Sequence, residues 1–184
     1  MLLRSLIVAT ILFSVAIVLG IIAPLDAFLL EMVQELDELF EPLEMINPFF
    51  LLFVIFLNNA VKSLGAIGFG ILLGLPPVLF VSANGFVFGA VISWLKSLKG
   101  LEYVVASIAP HGVIEIPMLL LATALGFTVG WESLKWVRRR ESSVKSQLSA
   151  SLKLYLKVIL PGLAVAAVIE AFVTPWLAGL AGGG

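Results

Sequence analysis

His111 is the single histidine of the chain, and Glu115 follows it four residues later in the stretch PHGVIEIPM, residues 110–118. On a helix, residues four apart lie one above the other on the same face. A histidine and a carboxylate so placed can share a proton, hold one another's orientation, or offer two ligands to a metal. A zinc site needs a third ligand, and Glu170 is the remaining good candidate. Three readings stand open: a zinc site, a proton or ion path through Glu115, Glu170 and Lys62, and a structural lock. In the lock, Glu115 pairs with Lys62 or hydrogen-bonds Asn58 or Asn84. The lock is the simplest of the three, so no metal, cofactor or catalytic residue is assigned.

The surroundings make these groups unusual. The chain has 184 residues, 61% hydrophobic and 12% charged, with a mean hydropathy of +1.15. Soluble domains run nearer half apolar and a quarter charged. The expected fold class is therefore all-α: a polytopic membrane helix bundle with about five transmembrane helices in a single domain, each needing roughly 20 apolar residues. Zero cysteines exclude disulfides and thiol chemistry. No basic, aromatic-interleaved surface points to nucleic acid. Ionisable side chains at membrane depth cost a few kcal/mol each and mark function by default. Asn58, Asn59, Lys62, Asn84, His111, Glu115 and Glu170 form that polar set.

The expected spans are residues 2–23, 47–74, 78–95, 103–130 and 154–177, the first reading as a retained signal anchor. Pro76-Pro77 marks a turn, because neither proline offers a backbone N–H. The fourth region, 28 residues, would be about 42 Å long as one helix, against a hydrocarbon core of about 30 Å. Pro110 is the expected break, with His111 near the outer boundary and Glu115 about a turn deeper.

Two connections differ in sign. Residues 24–46 carry seven acids and no Lys or Arg. Leu29, Met32, Val33, Leu36, Phe40 and Leu43 fall there on one helical stripe, a docking face for an extracytoplasmic protein partner or for the bundle itself. Residues 131–153 carry Lys135, Arg138, Arg139, Arg140, Lys145 and Lys153. With five spans, Arg4 and this basic segment share a side. The positive-inside bias then places the N-terminus in the cytoplasm and the C-terminus outside a cell membrane.

Lipid gives no hydrophobic push between helices, so small residues must let backbones approach. Gly70 and Gly74, Gly85 and Gly89, and Gly126 and Gly130 have that spacing. They suit an internal bundle or the seam of a homodimer.

LNNAVKSLGAIGFGILLGLPPVLFVSANGFVFGAVIS (57–93) and APHGVIEIPMLLLATALGFTVG (109–130) together resemble the stage II sporulation protein M membrane family. The shared features are an Asn-bearing helix (Asn58, Asn59), a Gly-rich connection (Gly65 through Gly74), N-G-x-x-x-G (Asn84, Gly85, Gly89) and P-H-G-x-x-E (Pro110, His111, Gly112, Glu115). The resemblance implies a polytopic, non-enzymatic membrane protein. The family's founding member looks like a scaffold working with cell-wall hydrolases in spore engulfment. The expected function is thus a membrane scaffold, a homo-oligomer with a dimer favoured, recruiting a partner outside the membrane. The alternative is a small proton- or ion-coupled transporter or channel using the His/Glu site. A membrane-embedded metal hydrolase is a third and weaker reading.

Overall fold

The computed structural model describes residues 1–23 and 47–182, so the acidic segment with its apolar stripe Leu29–Leu43 lies outside the described residues. Every regular element among the described residues is helical. Helix α1 is Leu2–Ile22. Helix α2, Pro48–Gly68, begins with the Asn47 side chain accepting the Phe49 N–H at 2.9 Å, and Pro48 follows where a missing donor does no harm. A 3-10 turn, Phe69–Ile71, leads into a tight reversal at Leu73 (φ 58°) and Gly74 (φ 79°). The next stretch, Leu75–Val137, is divided at Gly100, whose φ of 81° and ψ of 172° belong to a region essentially closed to other residues. Its halves are α3 (75–99) and α4 (101–137). The last rod, α5 (144–182), contains π-helical turns at Tyr155–Ile159 and Ile169–Val173.

Among the described residues four helical stretches are long and apolar enough to cross a membrane, and Gly100 divides one of them, which makes five helices there. The all-α membrane-type bundle matches the expectation from composition. The expected break at Pro110 does not. α4 runs unbroken through Pro110 and Pro117, and the chain reverses at Gly100, between the expected third and fourth spans. Nor does the turn fall on Pro76-Pro77. It lies at residues 72–74, and the prolines occupy the first turn of α3, where their missing N–H groups would be unpaired in any case.

Residues such as Ile11, Val18, Phe53, Val61, Val113 and Val165 are exposed around the outside of the bundle, the pattern of helices whose solvent is lipid. Inside, the paired glycines set the spacing within one chain. A Cβ on Gly126 would meet the Ala66 carbonyl of α2 and the Pro77 ring of α3. Gly70 lies against Gly126, and Gly130 against Gly74. Gly85 faces Phe13 and Ala16 of α1, and Gly89 faces Ile17. The sequence had not singled out Gly20, which packs on the backbone of Phe86 and Ala90. Two apolar clusters fill the spaces between these contacts, one around Ile67, Leu125, Ile159 and Leu163, the other around Phe13, Val81 and Leu119.

Met1 and Arg4 share a cleft with Phe127 and Trp131, so the N-terminus and the end of α4 lie at the same end of the bundle. Glu132 organises that end. It is buried, pairs with Lys135 at 2.7 Å and accepts the Ser143 N–H at 3.0 Å, tying the basic 138–142 link to the start of α5.

Candidate functional site

His111 and Glu115 project from one face of α4, and Glu170 meets them from α5. Ligand-type atoms of the three side chains all lie within 4.8 Å of one another, and all three residues are half-buried. Glu170 sits in the π-helical turn Ile169–Val173. The cause lies downstream. Pro175 has no N–H for the carbonyl of Ala171, and its ring crowds that carbonyl, so the turn widens. Pro161 stands in the same relation to Lys157 and to the turn Tyr155–Ile159.

Thr174 lies one turn beyond Glu170 and is buried, with its hydroxyl 3.3 Å from His111 Nδ1. The site is thus two facing pairs, each at i, i+4: His111 with Glu115 on α4, and Glu170 with Thr174 on α5. The sequence reading missed Thr174, although its spacing from Glu170 repeats that of the His/Glu pair.

Asn59, Lys62, Asn84 and Glu115 line a small void between α2, α3 and α4, closed by Leu119 and Leu163. A wider cleft of about 560 Å³ is lined by Lys62, Phe80, Asn84, Val87, Ile108 and His111. Lys62 and Asn84 border both spaces, so a polar route leads from the surface of the bundle toward Glu115. The Asn84 amide donates to the Phe80 carbonyl at 2.7 Å. Lys62 is exposed and makes no ion pair with Glu115; among the described residues the ion pair is Lys135–Glu132. Asn58 stands apart, exposed on α2 with its amide 3.3 Å from the Asn59 oxygen. The structure therefore gathers Asn59, Lys62, Asn84, His111, Glu115 and Glu170 and leaves Asn58 outside. The packing glycines lie elsewhere, at the helix crossings.

Two ionised carboxylates this close repel by about 3.5 kcal/mol at an effective dielectric of about 20. The arrangement therefore suits an occupant that brings positive charge between them, either a proton or a cation. A second missed residue, Tyr155, stabilises the frame: its buried hydroxyl donates to the Ala60 carbonyl at 2.9 Å, joining α5 to α2.

Comparison with known proteins gives the chain a family. The family described as Stage II sporulation protein M matches residues 9–175, and the chain belongs to it. An uncharacterized protein of Methanocaldococcus jannaschii is 28% identical over 108 residues, which cover 57% of this chain and 60% of that protein. The match thus spans less than two thirds of the relative's length. No solved structure matches the chain.

Proposed function

We propose that this member of the stage II sporulation protein M family handles a cation at membrane depth, as a small proton- or ion-coupled transporter or channel. One observation carries the reading: polar side chains from α2, α3, α4 and α5 converge on His111, Glu115 and Glu170, beside a cleft bordered by Lys62 and Asn84. Intramembrane acids and bases that face a cavity are the usual parts of ion and proton paths. The basic segment then lies on the cytoplasmic side, with the C-terminus outside. Flux through purified protein in liposomes tests this. A proton or cation current should appear with wild type and vanish with Glu115→Gln. A current that is absent from wild type, or unchanged in the variant, removes the reading.

A scaffold role is the second reading, and Asn58 favours it. That side chain is polar, lies within the α2 span and is exposed on the bundle, where a partner helix would satisfy it better than lipid. A second copy of the chain is the simplest cover, and the acidic charge and apolar stripe of the 24–46 sequence suit it to engage an extracytoplasmic protein. The chain contains no cysteine, so Asn58→Cys provides a clean crosslinking probe. Oxidation in native membranes should trap a covalent dimer, and a purely monomeric product argues against that interface.

A further inference from the structure

We propose that His111, Glu115 and Glu170 bind a divalent first-row transition-metal ion, zinc in the first instance, with Thr174 orienting the imidazole. The inference rests on the cation-handling reading of the same cluster and names its ion. One nitrogen and two carboxylates are a ligand set for zinc, manganese or iron. Magnesium and calcium prefer oxygen alone, in larger number.

The geometry lies close to what such an ion needs. At metal–ligand distances of about 2.1 Å, tetrahedral ligand atoms stand about 3.4 Å apart. The observed separations are within 4.8 Å, so closure asks for little more than about 1 Å. Two glutamate side chains can supply that by rotation. The Thr174 hydroxyl beside Nδ1 holds the ring and leaves Nε2 for the ion, the outer-shell arrangement that metal-binding histidines commonly have. Three protein ligands leave a fourth position open, and the cleft bordered by Lys62 and Asn84 lies next to it.

Charge favours the same occupant. A dication between two carboxylates makes a neutral unit in a weakly polar site, whereas one shared proton leaves a negative charge at membrane depth. Breaking such a neutral unit by removing one partner leaves an uncompensated charge and is costly. The residues come from two helices, so the ion would also join α4 to α5 in the half of α4 farthest from the Gly126 and Gly130 contacts.

The test uses the full chain, purified in mild detergent with neither a His-tag nor a chelator. Elemental analysis should find about one zinc per chain, and calorimetry of the stripped protein should show zinc or manganese rebinding. His111→Gln and Glu170→Gln should weaken binding by more than about 100-fold, and Thr174→Val by about 10–100-fold. Asn58→Ala, at a residue outside the cluster, should bind as wild type does. Thr174→Val keeps all three ligands and the helix, so its graded loss reports the oriented ring even where a ligand variant fails to fold. The proposal is overturned if wild type neither carries nor binds zinc or manganese. It is equally overturned if the ligand variants bind like wild type, which would place the metal elsewhere. Liposome flux separates it from the reading it rests on. Flux without bound metal removes the metal and keeps the cation path. Bound metal without flux keeps the metal and removes the path.

Discussion

Gly126→Ala should lower stability although alanine is the better helix former. Gly126 lies where α4 passes α2 and the start of α3, and an added Cβ would sit 2.6 Å from the Pro77 Cγ and against the Ala66 carbonyl. Non-bonded carbons settle at about 3.5–4.0 Å, so the helices must part by about 1 Å. Neither obstacle can rotate aside, since one is a closed ring and the other is backbone. Overpacking of this kind costs about 1–3 kcal/mol, against a gain of about 1 kcal/mol from replacing glycine in a helix. The expected net loss is up to about 2 kcal/mol. Gly68→Ala is the matched control: it is also helical, but nothing lies within 4 Å of its added Cβ. That variant should gain up to about 1 kcal/mol from propensity. The two thus differ by the overpacking cost, about 1–3 kcal/mol. Thermal unfolding in detergent, followed by circular dichroism, should separate their midpoints by about 2–12 °C. A Gly126→Ala midpoint at or above that of Gly68→Ala would refute the close approach, as would an equal fall in both variants.

Glu132→Gln removes a buried carboxylate that holds both Lys135 and the Ser143 amide, so the link before α5 should open more often. Trypsin should cut after Arg138–Arg140 roughly tenfold faster than in wild type, and an unchanged rate would count against the tie. Gly100→Ala has room for its methyl group yet must hold φ 81° and ψ 172°. It should lose about 1–3 kcal/mol in the same unfolding assay, and a neutral result would mean that α3 and α4 do not reverse there. Tyr155→Phe deletes the donor to the Ala60 carbonyl and should cost about 1 kcal/mol; a gain in stability would contradict that bond.

The number and order of the helices were legible because lipid imposes a length that apolar runs either meet or miss. The connection expected between residues 95 and 103 contains Gly100, and the misreading was the further break at Pro110, expected because the region that follows looked too long for one span. Proline without a tertiary neighbour does break helices, yet α4 accommodates Pro110 and Pro117, while Gly100 carries the reversal in a single residue. The His111/Glu115 pair was legible from spacing alone. Its company was only partly so. Glu170 stood out as an acid among apolar residues, but Thr174 did not, since threonine is ordinary in such helices. Hydrophobic periodicity also assumes 3.6 residues per turn, and the wide turn ahead of Pro175 changes the phase by which Glu170 and Thr174 reach α4.

That change of phase divides α4 into two regimes. Its Gly126 and Gly130 half rests on backbone of α2 and on the 72–74 turn, contacts that allow no displacement without a clash. Its His111 and Glu115 half faces an α5 segment whose hydrogen-bond ladder is already loosened by a π turn. Interiors packed to crystal density transmit displacement rather than absorb it. A contraction of about 1 Å around a cation, as proposed above, would therefore be taken up on the α5 side, where the turn Ile169–Val173 offers alternative backbone pairing. The glycine contacts hold one half of α4 in place, and the turn Ile169–Val173 would give the other half the freedom that closure around a cation needs.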